Sequence, residues 1–323
     1  MAPLRRLVRV SGMILVTEEQ SSTLVTHEMA FHAVRLALTA SVNPAASSFP
    51  VVLAHASDAQ NRLTIKSAAG PDLVGLKVGA YFPTNDARGI PRHASTILLI
   101  DQTSGRIGAV VEGSTLNCYR TAAADAVATD ALARADAKVL ALFGTGHQAA
   151  YEAEAISRIR ALSQILVVGR DAKRTEAFAA RLRNKGLPAE ACLPEAAVMK
   201  ADIIVTATTS TSPLFDADWV KPGTHISSMG SDSVGKQELP PELFARARLF
   251  CDLPEQSARI GEFQHANPDA DLVAIGAVLA EAAIGRQNRI DITAFDSSGL
   301  ALQDLYMAQA IITAARPSES LNG

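Results

Sequence analysis

The stretch 138-KVLALFGTGHQAAYEAEAISRI-159, continued by 164-QILVVGRDAKR-174, decides the fold. An apolar, β-like run leads into Gly144-Thr145-Gly146-His147-Gln148-Ala149, and a helical pattern follows at once. This is G-x-G-x-x-A in the strand–turn–helix setting that dinucleotide binding requires. The first glycine permits the tight turn. The second lets backbone approach a pyrophosphate, and the alanine lets helix and strand pack closely. The helix N-terminus then faces the phosphates. A plain strand–helix turn carries the same letters, so the motif has to be weighed with its surroundings.

Those surroundings alternate strictly. After 164-QILVVG a helix ends at Asn184-Lys185-Gly186, and apolar runs recur at 203-IIVTAT, 224-THISSMG, 248-RLFCD and 291-DITAFDSSG. Strands alternating with helices predict an α/β chain built on a doubly wound parallel sheet. Before Arg120 the texture differs. Thr17-Glu18-Glu19-Gln20 has capping-box spacing, and Val25, Met29, Ala33 and Leu36 form an apolar stripe, which predicts one helix ending at Asn43-Pro44. Short runs then follow at 50-PVVLAHA, 74-VGLKVGAYF, 96-TILLID and 107-IGAVVEG, as expected for an antiparallel sheet. The stretch 120-RTAAADAVATDALAR reads as a small-residue helix, and 300-LALQDLYMAQAIITAA as a last helix that returns to the first domain. The expected organisation is a discontinuous domain of 1–120 and 304–323 around a nucleotide-binding domain of 121–303. Met13 opens MILVTEEQ like a natural start, which leaves residues 1–12 as an extension without a fold role.

Composition excludes several function classes. The 323 residues are 48% hydrophobic and 20% charged, with a formal net charge of −3. No basic field exists for nucleic acid or an anionic membrane. No apolar run reaches the roughly 18 residues of a membrane span, and no h-region marks a signal peptide. Cys118, Cys192 and Cys251 are widely spaced without a C-x-x-C, which suits a reducing, cytoplasmic setting and neither a disulfide framework nor a zinc knuckle. The seven histidines form no H-E-x-x-H, so no metal is expected, and no G-x-S-x-G marks an α/β-hydrolase.

The end of the second strand selects the nucleotide. An acidic residue there accepts from ribose hydroxyls, whereas an arginine suits a 2′-phosphate. Arg170 stands at that position with Lys173 and Arg174 one turn on, which favours NADP(H) and leaves NAD(H) possible. Asp171 reads either as a helix cap or as a ribose acceptor. Further cofactor candidates lie at the ends of later strands: Thr206, Thr208, Met229, Gly230, Ser298 and Gly299. Lys77, inside the apolar run Val74-Gly75-Leu76-Lys77-Val78, is either the outward residue of an edge strand or a buried cation with a purpose. Arg120 suits bidentate carboxylate binding or a structural ion pair. Asp232, after a strand and a turn, reads as a proton relay or as a turn aspartate. His93 lies in a Pro-Arg-His turn that would line a cleft, and His147 packs in the glycine turn.

Taken together, 113-GSTLNCYRTAAA-124, the glycine turn behind it, Gly75-Leu76-Lys77, Asn85 to Pro91, 223-GTHISSMGSDSVGKQEL and 295-FDSSGLALQD resemble the ornithine cyclodeaminase/mu-crystallin family in order and over nearly the whole chain. The resemblance implies a Rossmann doubly wound sheet beside a discontinuous α+β dimerisation and substrate domain, in a homodimer. It implies that Lys77 and Arg120, with His93 nearby, hold a substrate carboxylate, and that Asp232 is the acid/base residue. The stretches 229-MGSDSVGKQEL and 256-QSARIGEFQHA look most like the iminosuccinate reductase branch. Two features depart from the family pattern. No Lys or Arg occurs between Arg35 and Arg62, where an early-strand arginine is usual, and Asn117 replaces the usual threonine three residues before Arg120. The expected function is reduction of a small α-imino (ketimine) carboxylic acid by NAD(P)H. Ornithine cyclodeamination or alanine dehydrogenation is the alternative, and a non-catalytic NADPH- and ligand-binding protein is the reading from another class.

Overall fold

The computed structural model of the chain describes residues 8–10 and 12–315. The chain divides into two compact units, one formed by Met1–Arg120 with Leu300–Gly323 and the other by Thr121–Gly299. The returning segment therefore begins at Leu300, against the 304 expected from the sequence.

The first unit opens with β1 (Val8–Val10) and β2 (Met13–Val16), which pair antiparallel. Part of the stretch expected to lack a fold role is thus a strand; residues 1–7 and 11 lie outside the described residues. Thr17 closes the predicted capping box on α1 (Glu18–Leu24). The single helix expected up to residue 43 is instead two. Val25 turns extended, and the Thr26 hydroxyl accepts from the Met29 amide at 3.1 Å to start α2 (His27–Ser41) afresh. This new start re-phases the buried face to Ala30, Ala33, Val34, Ala37 and Leu38, and leaves Leu36 60% exposed.

Strands β3 (Ser47–Ser48), β4 (Val52–His55), β5 (Arg62–Ala69), β6 (Val74–Tyr81), β7 (His93–Ile100) and β8 (Ile107–Glu112) complete a sheet ordered β1-β2-β8-β7-β6-β5-β3, with β4 also on β5. Every pairing is antiparallel except β2 with β8. Side chains alternate between faces along a strand. One face carries Val16, Ala68, Gly75, Ile97 and Val111, all buried. Helix α3 (Ser114–Leu132) begins where the Glu18 carboxylate accepts from the amides of Ser114 and Thr115 at 2.7 and 2.8 Å, an acid placed at the positive end of the helix dipole.

The second unit carries β9 (Val139–Phe143), α4 (His147–Ile159), β10 (Gln164–Val168), α5 (Ala172–Asn184), β11 (Ala189–Ala191), α6 (Pro194–Lys200), β12 (Ile203–Thr206), β13 (His225–Ser228), β14 (Ala247–Cys251), α7 (Pro254–Ile260), β15 (Leu272–Ala274), α8 (Ile275–Leu279) and β16 (Ile292–Asp296). The sheet order is β11-β10-β9-β12-β13-β16-β14-β15, and all neighbours are parallel. The chain builds outward from β9 in one direction and then returns to its other side at β12. The reversal point therefore lies between β9 and β12, where ligands bind in such sheets. Strands buried on both faces read as largely apolar runs, which is why the six strands between the edges stood out in the sequence.

The closing helix α9 (Ala301–Ala315) buries Leu302, Leu305, Ala308, Ile311 and Ile312 at helical spacing, each leucine or isoleucine contributing about 2 kcal/mol. It belongs to the first unit and seats against Gly75, where an added Cβ would come 3.0 Å from Leu305 and 2.1 Å from the Leu98 carbonyl oxygen. Among the described residues no helix is long and apolar enough to cross a membrane, and no cluster of His, Cys, Asp and Glu is placed to hold a metal ion.

Candidate functional site

In the first unit, Lys77 lies on β6, between β5 and β7, so it is not on an edge strand. It is only 5% exposed. Its ammonium donates to Asp304 Oδ1 and to Asn117 Oδ1 at 3.0 Å each, and stands 2.9 Å from Asp304 Oδ2. Arg120 donates from Nη2 to the same Asn117 oxygen at 2.9 Å and from Nη1 to Gln303 Oε1 at 3.4 Å, with Nε 3.6 Å from Asp304 Oδ1. Asn117 and Arg120 sit three residues apart on α3, hence on one helix face. Gln303 and Asp304 come from the first turn of α9. Burial pushes the Lys77 pKa down to about 8; Asp304 opposes that fall, while Arg120 and Lys66 add to it. The cluster holds two cations against one buried carboxylate, so one positive charge is left over for an anion. Gln303 Nε2 is buried without a hydrogen-bond partner. His93 is exposed on β7, its ring 4.8 Å from that of Tyr81.

Asp304, Gln303 and Asn117 were not singled out as site residues from the sequence. Asp304 lies 227 residues from Lys77, and in an alternating helical stretch one aspartate looks like solvated surface. The usable signal was the 300-LALQD run, in which two polar residues interrupt an otherwise apolar helix start.

In the second unit the glycine turn follows β9. Gly144 adopts φ +125°, and a Cβ there would meet the Ala207 carbonyl oxygen at 2.6 Å, so only glycine fits. Gly146 caps α4 without a side-chain bond, and nothing lies within 4 Å of where its Cβ would be. Open space at the uncapped N-terminus of a 13-residue helix fits a pyrophosphate. The His147 ring packs 5.1 Å from that of Tyr151, and Gln148 donates to Glu152 at 2.7 Å. Thr145 packs beneath the next strand end, where a Cβ on Gly169 would come 2.8 Å from its methyl group. Arg170, just past β10, and Lys173, in the first turn of α5, are exposed. The Asp171 carboxylate accepts from the Arg174 amide at 2.8 Å through Oδ1 and so caps α5.

The later candidates divide into surface and support. The buried Thr206 hydroxyl donates to Glu238 Oε2 at 2.7 Å, and the Thr208 amide and hydroxyl both donate to Glu238 Oε1 at 2.7 Å. The Gly230 amide and Ser228 hydroxyl donate to Glu238 Oε2 at 2.9 and 3.0 Å. One carboxylate thus ties together the ends of β12 and β13, and Thr206 braces the site from below. Glu262 accepts from the Leu239 amide at 2.7 Å, and burial pushes its pKa up to about 7. Ser298 is likewise buried, its hydroxyl donating to Asp252 at 3.2 Å, and the Gly299 amide donates to the same carboxylate at 2.5 Å. Met229 is buried at the end of β13. Asp232 is 60% exposed in its turn and paired with Lys236 at 2.6 Å; Lys236 also donates to the Gly230 carbonyl at 3.0 Å.

The chain as a whole has similar relatives. A model of the ornithine cyclodeaminase/mu-crystallin family matches residues 11–319. Iminosuccinate reductase of Paracoccus denitrificans is 38% identical over 312 residues, covering 94% of this chain and 97% of that protein. Its crystal structure, in complex with NAD+, superposes with a TM-score of 0.87, covering 94% of this chain and 96% of that one. An archaeal alanine dehydrogenase dimer with bound NAD, 29% identical, reaches a TM-score of 0.87 with the same coverages. The Thermococcus litoralis Δ1-pyrroline-2-carboxylate reductase in complex with NADH and L-proline, 26% identical, reaches 0.83 over 94% of this chain and 97% of that one. With the buried Lys77–Arg120–Asp304 cluster and the glycine turn both in place, this breadth of match leaves one assignment: the chain belongs to the ornithine cyclodeaminase/mu-crystallin family.

Proposed function

We propose that the protein is an NAD(P)H-dependent imine reductase, acting on a small α-imino carboxylic acid such as iminosuccinate or a cyclic ketimine carboxylate. The observation that carries this reading is the buried pair of cations Lys77 and Arg120, held by Asp304 and Asn117 with one positive charge uncompensated. A substrate carboxylate supplies the missing negative charge. Neutralised there, it no longer feeds electron density to the adjacent C=N carbon, and that carbon is fixed in place for attack. A bound reduced nicotinamide supplies the hydride. The glycine turn and the N-terminus of α4 take its pyrophosphate, and Arg170 with Lys173 takes a 2′-phosphate, which favours NADP(H) while NAD(H) still binds. Asp232, its carboxylate held by Lys236, relays a proton from solvent to the imine nitrogen, and the product is the α-amino acid. His93 borders the substrate.

The chain acts as a homodimer. Leu63, Ile65, Val78, Leu98, Ile100 and Val110 form a half-buried apolar face on the side of the first sheet opposite Lys77, and a second copy covers it.

Cyclodeamination of ornithine is the competing chemistry. It requires an anion to recognise the distal ammonium of a diamino acid. The strand residues sharing the Lys77 face at this end of the sheet are Arg62, Thr64, Lys66, Gly79, Tyr81, His93 and Ser95, and none is acidic. Reduction without a distal amine therefore fits better. A screen of NADPH and NADH oxidation with pyrroline-2-carboxylate, piperideine-2-carboxylate, iminosuccinate, and pyruvate plus ammonia tests the proposal, with ornithine plus NAD+ in parallel. Turnover of at least one imino acid is expected; ornithine conversion alone would replace the reading with cyclodeamination.

A further inference from the structure

Asp232 and Lys236 belong to the turn 230–236 that follows β13. Asp232 and Gly235 are exposed and Val234 is 78% exposed, so apolar burial does little to fix this turn. An ion pair as exposed as Asp232–Lys236 is weak by itself. The turn is held instead from one short segment, the 3₁₀ turn Glu262–His265.

That segment is anchored first. Phe263 is buried, its ring 5.4 Å from that of Phe244 and edge to face, within the core of the second unit. Glu262 is buried beside it and grips the chain on both sides of the turn. It accepts from the Ser228 hydroxyl at 3.1 Å, and from the Glu238 and Leu239 amides at 3.0 and 2.7 Å.

Gln264 and His265 then reach the turn itself. Gln264 Oε1 accepts from the Gly235 amide at 2.9 Å. Its Nε2 donates to the carbonyl oxygens of Gly261 at 2.8 Å and of Ser233 and Lys236 at 3.3 Å each. An amide N–H only donates and a carbonyl only accepts, so the carboxamide has one usable orientation and a carboxylate cannot replace it. His265 Nε2 lies 2.8 Å from the Lys236 carbonyl oxygen, so that nitrogen carries a proton. The backbone of Lys236 is thereby fixed, and its ammonium runs back to the Gly230 carbonyl at 3.0 Å and to the Asp232 carboxylate at 2.6 Å.

We infer that Gln264 and His265 are positioning residues for Asp232: by fixing the main chain of Lys236 they hold its ammonium, and through it the Asp232 carboxylate, where a proton passes to the imine nitrogen. The inference rests on the imine-reductase reading, in which Asp232 is the proton relay, and both residues act through that carboxylate. A reacting group displaced by about 1 Å can lose about 100-fold in rate, which sets the expected size of the effect.

The test follows oxidation of NADPH and NADH with pyrroline-2-carboxylate and with oxaloacetate plus ammonium. Wild type is compared with Gln264→Ala, Gln264→Glu, His265→Leu and His265→Gln, and Asp232→Asn with Asp232→Asn carrying Gln264→Ala. Gln264→Ala should lower kcat by about 100-fold, with KM for the imino acid and NADH affinity by fluorescence titration each within about threefold of wild type. Gln264→Glu should lose as much, because a carboxylate oxygen then faces three carbonyls. His265→Leu should cost about tenfold in kcat, and His265→Gln, which keeps a donor, should recover most of it. In the Asp232→Asn background Gln264→Ala should cost no more than about threefold, since the group it positions is gone. The same loss in both backgrounds, or wild-type kcat in Gln264→Glu, would overturn the positioning role while leaving Asp232 and imine reduction in place. Near-normal turnover by Asp232→Asn would remove the relay and its clamp together. No oxidation of either nucleotide by wild type with any imino acid would overturn the imine-reductase reading as well.

Discussion

Replacing Asp304 by asparagine tests the clamp most searchingly, because it keeps shape and removes one charge. Asp304 is 2% exposed and lies 2.9 Å from the Lys77 ammonium. At an effective dielectric of about 20, two unit charges at that distance attract by about 6 kcal/mol before desolvation is counted. Removing one partner of a buried pair costs about 3–5 kcal/mol, since the remaining charge stays buried. For a unit of this size, that lowers Tm by roughly 10 °C. The electrostatic consequence has a definite sign. Burial already holds the Lys77 pKa down at about 8, and Asp304 is the group that opposes the fall. Asp304→Asn must lower it further, so at neutral pH the clamp loses a charge. In wild type, kcat/KM for a carboxylate substrate should fall as pH rises above about 8, where free-enzyme Lys77 deprotonates. In the variant the same break should move to lower pH, and KM should rise more than kcat falls. Differential scanning fluorimetry and a pH profile of kcat/KM read both effects. The double variant Asp304→Asn with Lys77→Met should be more stable than Asp304→Asn alone, because the orphaned charge is gone. A Tm within a degree or two of wild type together with an unmoved pH break would refute the buried-clamp reasoning.

Four further outcomes are expected. Asp232→Asn should lower kcat by about 100-fold or more, the usual weight of a general acid, while titration still shows cofactor binding; near-normal turnover removes Asp232 from the chemistry. Arg170→Ala should raise KM for NADPH about tenfold and leave NADH nearly unchanged, and equal effects on both would show that Arg170 does not read the 2′-phosphate. Gly144→Ala forces a side chain to φ +125° and 2.6 Å from the Ala207 carbonyl oxygen, so it should cost about 2 kcal/mol or more in stability and abolish nucleotide binding; wild-type affinity would contradict the turn geometry. Glu262, with its pKa pushed up to about 7 from the ordinary 4.5, keeps a proton that the unfolded chain releases, so folding stability should fall as pH rises between those values. Glu262→Gln should flatten that part of the stability curve, and an unchanged slope would sink the assignment.

How far the sequence carried depended on the range of the interaction. The glycine turn and the alternating strands were legible because their causes are local: a positive φ at Gly144 and apolar runs buried on both sheet faces. Lys77 stood out as a cation in an apolar strand, but its central position depends on pairing with β5 and β7, which no single strand announces. Asp304 was invisible as its partner because the ion pair closes a long loop through the whole second unit. Leu36 misled for a similar reason: it extended a stripe across the Val25–Thr26 break, where a hydroxyl cap restarts the helix. Thr206 and Ser298 were legible as strand-end polar residues. Their hydroxyls are already spent on Glu238 and Asp252, carboxylates whose role appears only once the loops are folded together.

In the proposed mechanism, hydride reaches the imine carbon of a carboxylic acid held by Lys77 and Arg120. Supplying reduced nicotinamide deuterated at C4, a turned-over imino acid and the wild-type enzyme, then reading the product by mass spectrometry, tests it directly. Deuterium is expected at the α-carbon of the amino acid, matched to cofactor oxidised, with the rate of labelled product falling sharply in Arg120→Ala. Product formed without the label, or labelled product formed by Arg120→Ala at the wild-type rate, would contradict this mechanism.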